Sequence, residues 1–187
     1  MSHKLLAAFN EGVNRSMAGD YPSAIQAFDK VLGEDPRHGP ALSAKGFSLS
    51  RLGRPAEALK CFERAIDLEP ALADNYRNAA LCQLELDEPE TASLLLERAF
   101  QLNSEPSYRE ATAVEIFGLG QALLTRGPRR LDKARYRHAR HAFELALEYH
   151  PGYIEAARAL ADVWSHLGDA ERSSHYTHLA ARLRPVG

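Results

Sequence analysis

The chain has 187 residues, 45% of them hydrophobic and 26% charged, with a formal net charge of −2. This is the composition of a folded, water-facing protein with material for a core, and it excludes a globally basic binder of nucleic acid or acidic membrane. Two cysteines, Cys61 and Cys82, cannot make a disulfide framework and read as reduced, buried thiols. No stretch nears the ~18 apolar residues of a membrane span or has signal-peptide form, so a cytoplasmic location is expected.

Ala, Leu, Glu and Arg dominate, Val, Ile and Thr are sparse, and no segment alternates apolar with polar residues, so helices are expected and strands are not. Breaks at Gly, Pro and Asp divide the chain into ten short helices. In chain order they are predicted at 3–18, 22–33, 40–52, 55–68, 73–86, 89–102, 106–125, 131–149, 153–167 and 170–183. Pro22, Pro55 and Pro89 each fall at the start of the second helix of a pair, where a missing N–H costs nothing.

The breaks are periodic. Pro36 and Pro70 are 34 residues apart, as are Pro151 and Pro185, and each follows an apolar helix that it ends by removing an N–H and restricting the preceding residue. Gly12, Gly46 and Ala80 keep the same spacing. So do Ala24, Ala58 and Ala92, and so do Phe28, Phe62 and Leu96. The small residue lets the second helix approach, the Ala lies at the crossing, and the aromatic fills the space beside it.

This order of small residue, Ala, aromatic and Pro on a 34-residue period resembles the tetratricopeptide repeat. The second repeat carries most of it, with Gly46, Ala58, Phe62, Ala65 and Pro70. The third has Ser104 for the proline. The fourth has Gly120, Ala139, Phe143 and Pro151, and the fifth has Ser173 and Thr177 in place of the Ala and the aromatic. The resemblance implies an all-α fold, a right-handed superhelical solenoid of five antiparallel helix pairs. It implies a single solenoid over 1–187, with repeats at about 5–38, 39–72, 73–104, 105–152 and 153–187.

The resemblance also implies a function: a non-catalytic scaffold that binds a partner peptide or protein along a groove lined by the first helix of each pair. The family register places Phe9, Val13, Met17, Phe47, Arg51, Arg77, Asn78, Leu81, Phe117 and Gln121 there. The N-terminal half of that list is apolar and suits peptide anchors, although Phe9 and Phe47 read equally well as core. Members of the family that grip a terminal carboxylate use Lys and Asn on the groove. Here Phe9, Val13, Ala44 and Asp74 stand at the early positions, which argues against that ligand.

The register breaks once. Pro70 to Pro151 is 81 residues, two repeats plus 13, so the fourth pair has longer helices or longer loops. Within it Arg126–Arg140 holds seven Lys/Arg against one acid, which leaves the rest of the chain at −8. Arg129, Arg130, Lys133, Arg137 and Arg140 form either a docking site for an anionic partner (an acidic peptide, RNA or phosphate) or a solvated helix face. No nucleic-acid motif accompanies them, and nucleic acid is not the expected partner.

Other chemistry finds no support. His138 with His141, and His175 with His178, share helical faces, but no carboxylate or thiol stands at ligand spacing, so no metal is expected. Gly118–Gly120 lies inside a helix and is no phosphate loop. No nucleophile motif or convergent acid–base set appears, so neither an enzyme nor a cofactor is expected. The last helix ends near Arg184 with no further helix to cover it, so a homo-oligomer formed through the C-terminal repeat is an alternative, and with it a self-assembling structural scaffold.

Overall fold

A computed structural model of the chain describes residues 3–125 and 133–183. The described residues form ten α-helices and no strand. In order these are α1 (His3–Met17), α2 (Tyr21–Glu34), α3 (Gly39–Arg51), α4 (Pro55–Leu68), α5 (Ala73–Glu85), α6 (Pro89–Leu102), α7 (Pro106–Thr125), α8 (Lys133–Tyr149), α9 (Ile154–Leu167) and α10 (Ala170–Arg182). The local signals set these bounds. Pro55, Pro89 and Pro106 open their helices, and Asp20 caps α2 by accepting the Ser23 N–H at 3.2 Å. The same hydrogen bond holds the Asp20 carboxyl below its ordinary pKa. Helix α2 begins at Tyr21, so Pro22 sits one position inside it rather than at its start.

The expected lengthening of the fourth pair is visible in α7, with 20 residues, and α8, with 17, against 13 to 15 in the other helices. The residues between these two helices, 126–132, lie outside the described part.

The chain divides into two compact units, Met1–Leu102 and Asn103–Gly187. The first holds three antiparallel helix pairs, α1–α2, α3–α4 and α5–α6, each packed on the next. The second holds α7–α8 and α9–α10, with α8 packed on α9. Each core forms where the repeat predicts: Phe28, Phe62 and Phe143 are fully or almost fully buried, as are Ala24, Ala58, Ala92 and Ala139. Cys61 and Cys82 are buried and unpaired, and both belong to the cluster that joins α4 to α5.

One turn geometry recurs between the two helices of a pair. Gly19, Gly53 and Gly168 have φ of 78°, 71° and 89°, and Asp87 holds the same place with φ 64°. The chain must reverse there through a left-handed residue, which glycine adopts freely and a side chain does not. This series has a 34-residue period in the first unit, so it was present in the sequence beside the better-known positions.

Candidate peptide-binding face

The first unit lays α1, α3 and α5 side by side. A row of polar contacts joins them. The Ser16 and Ser48 hydroxyls are 3.2 Å apart, and the Ser43 hydroxyl donates to Asn75 Oδ1 at 2.7 Å. The Ser50 hydroxyl bonds the Cys82 thiol. Each links a residue to the one 32 positions on, because neighbouring first helices are offset by two residues within the 34-residue repeat. These bonds give partners to polar groups that the packing would otherwise strand, although among the described residues Asn75 Nδ2 is buried without one.

Six of the ten groove residues named by the register fall into two series. Phe9 lies three residues before Gly12, and Phe117 three before Gly120, so each shares a helix face with its glycine. That face meets the second helix. The Phe9 ring accordingly lies 6.0 Å from Phe28 and 5.2 Å from His38. The Phe117 ring lies 5.4 Å from Phe143 and 4.9 Å from Tyr153. Phe117 is 9% exposed and is a core residue, while Phe9 is half-buried against the first core cluster.

Val13, Phe47, Leu81 and Gln121 each follow the small residue by one, a third of a turn away from the core. Phe47 is 46% exposed, Val13 and Leu81 are partly exposed, and Gln121 is exposed. This series, one residue per repeat, is the outward face. Met17, at 83% exposure, and Leu6, at 45%, add apolar surface on α1.

The charged residues of the first unit's face are engaged with their own helices or neighbours. Arg77 pairs with Asp74 at 3.4 Å, and Asn78 is partly exposed beside it in sequence. Arg51 donates through Nε to the Tyr21 hydroxyl at 3.2 Å, with its guanidinium 6.0 Å from that ring. The apolar row thus runs between charges that already have partners.

The basic segment behaves differently from one free patch. Arg129 and Arg130 lie outside the described residues. Lys133 donates to the Leu167 carbonyl at 3.5 Å, at the carbonyl-rich end of α9 where a cation is favoured. Arg140 turns inward. Its guanidinium lies 5.1 Å from the Trp164 ring centre, with Arg172 at 4.3 Å, and its Nε is 3.5 Å from Glu144 Oε2. Burial raises the Glu144 pKa, against Arg140, His141 and Arg172, which oppose it. Arg137 is exposed. Of the three candidate cations that are described, Lys133, Arg137 and Arg140, two therefore serve the packing of α8 on α9. Trp164, 6% exposed, is a core residue.

Among the described residues no group of three His, Cys, Asp or Glu is arranged to hold a metal ion, and no helix is long and apolar enough to cross a membrane.

The tetratricopeptide repeat family model matches residues 39–72, the pair α3–α4 with its following turn. No curated protein matches the chain. Among solved structures, a MamA protein aligns with a TM-score of 0.65 at 21% identity, over 98% of this chain and 93% of that one. MamA from Desulfovibrio magneticus RS-1 aligns with a TM-score of 0.65 at 16% identity, over 98% and 96%. YrrB, described as a TPR protein with an unusual peptide-binding site, aligns with a TM-score of 0.60 at 20% identity, over 96% and 86%. At these identities the likeness is one of fold.

Proposed function

We propose that the chain is a tetratricopeptide-repeat protein and a non-catalytic scaffold that captures a partner peptide or protein on the α1–α3–α5 face. The observation that carries this reading is Phe47, a large aromatic 46% exposed, flanked at the equivalent positions of the adjacent repeats by Val13 and Leu81. Burying the exposed half of such a side chain in a partner is worth about 1 kcal/mol, and together with Val13 and Leu81 it can anchor a peptide. The description of YrrB as peptide-binding supports a partner of this kind. We place the scaffold in the cytoplasm and assign it no cofactor.

Affinity capture from the native cell tests the reading, with wild type against Phe47→Ser. The partner is expected to be retained by the first and lost by the second while the circular dichroism melting curves stay close. Retention of the same partner by both would remove this face from the function. The anionic-partner reading has weaker support, because Lys133 and Arg140 already have partners within the fold.

A further inference from the structure

Ser16, Ser50 and Ser165 each stand three residues before a left-handed glycine, Gly19, Gly53 and Gly168, so they occupy one place in the helix pair. In the first two pairs that hydroxyl bonds the helix packed next: Ser16 bonds Ser48 of α3, and Ser50 bonds Cys82 of α5. Ser165 instead lines an open cavity of about 360 Å³ between α9 and α10, with Gly168, Ala170, Ser173, Ser174 and Thr177.

The cavity has a cause in the sequence. Nine residues past the left-handed glycine the first two pairs carry Phe28 and Phe62, whereas the last carries Thr177. The small side chain leaves space that a ring fills elsewhere. The Ser173 and Thr177 hydroxyls are turned onto the Ala161 and Ser173 carbonyls, each at 2.9 Å, while Ser165 and Ser174 are exposed.

The complementary position is at the other end of the repeat series. Ser48 and Cys82, the partners of Ser16 and Ser50, belong to a 34-residue series whose first member is Asn14 of α1. Asn14 is exposed. Its amide both donates and accepts, so it can do with a serine what Ser48 and Cys82 do, and an amide fits a cavity of this size.

We propose that the α9–α10 face receives α1 of a second copy, head to tail, with Asn14 of one copy against Ser165 of the other. The two surfaces differ, so the contact is heterologous and adds copies in one direction rather than closing a symmetric pair. It rests on Asn14 and Ser165 and not on Phe47, so its test is separate from that of the peptide-binding reading.

Sedimentation velocity over a hundredfold concentration range tests it on the 187-residue chain. Wild type is expected to show a mass that rises with concentration past the dimer. Asn14→Arg blocks one surface and Ser165→Arg the other, so each variant alone should remain monomeric. An equimolar mixture of the two retains one intact surface of each kind and should form a 1:1 dimer. Glu97→Arg, on the exposed side of α6, is the charge control and should assemble like wild type. Matching melting curves establish that the variants fold. A wild type that is monomeric at every concentration would overturn the proposal and make the hydroxyl-rich face a polar cap. Assembly that survives both substitutions, or a mixture that stays monomeric while wild type assembles, would overturn it equally.

Discussion

Gly46 lies so close to Phe62 that a methyl group on its Cα would sit 2.9 Å from Cε1 and Cζ of the ring. The same fit recurs, tighter, where Gly12 meets Phe28 and Gly120 meets Phe143, each at 2.6 Å. The third pair has Ala80 opposite Leu96, a larger residue against a smaller one, and both are fully buried. Helix spacing in each pair is therefore set jointly by two positions, and neither can be read alone.

That relationship predicts the result of a double-mutant cycle. Gly46→Ala gains roughly 1 kcal/mol of helix propensity but overpacks the ring at a cost of about 1–3 kcal/mol, so a small net loss is expected. Adding Phe62→Leu reproduces the Ala80–Leu96 combination and should make the double variant more stable than the sum of its parts, by about 1 kcal/mol. Urea denaturation measures the coupling. Gly120→Ala, at the closer approach, should cost more than Gly46→Ala, and the reverse order would count against the geometry.

A second prediction concerns the turns. Asp87 is the one side chain in the left-handed series Gly19, Gly53, Asp87 and Gly168. Asp87→Gly should stabilise the chain by about 0.5–1 kcal/mol through relief of backbone strain. Gly19→Ala is its converse. Nothing lies within 4 Å of a methyl there, yet φ is 78°, so a loss of about 1–2 kcal/mol is expected from the backbone alone. Thermal melts of the two variants should move in opposite directions.

Most helix bounds could be read in advance because they depend on residues that act locally. Pro55 and Pro89 mark helix starts without regard to tertiary structure. The face a residue presents was harder. The family register grouped Phe9 and Phe117 with Phe47, yet Phe117 is core and Phe47 is exposed. The distinguishing signal was the distance to the small residue: three positions puts a side chain on the glycine's face, and one position turns it outward. Arg140 was unreadable for another reason. Its neighbour Trp164 comes 24 residues later, and a cation laid on a buried ring leaves no periodic trace.

The cysteines give a pH prediction. Burial pushes the Cys82 thiol up to about 12, and burial also raises Cys61. A thiol at that value is roughly 10⁻⁴ ionised at pH 8, so Cys82 in the folded protein should react with a disulfide reagent about a thousandfold more slowly than in the unfolded chain. The linkage follows the same sign. Below about pH 8.5 both states keep the proton and the stability is fully present; above it the unfolded chain ionises first. Stability should then fall by about 1.4 kcal/mol per pH unit for Cys82 until its folded pKa is reached, and Cys82→Ala should flatten that alkaline slope. A slope unchanged by the substitution would assign it to other groups.

The last prediction separates core from binding face by energy. Phe62 is 1% exposed and Phe47 is 46% exposed. Truncating a buried aromatic costs about 3–5 kcal/mol, the transfer term plus the cavity left behind, so Phe62→Ala should fall in that range. Phe47→Ala removes a ring already half in water and leaves no enclosed cavity, so its cost should stay below about 1 kcal/mol. Phe9→Ala, half-buried against Phe28 and His38, should fall between them. Denaturant midpoints give all three values from one experiment. An exposed aromatic that costs little to remove is retained for something other than folding, and that is what the binding face requires. A Phe47→Ala loss as large as that of Phe62→Ala would make Phe47 a packing residue and take away the anchor on which the peptide-binding reading depends.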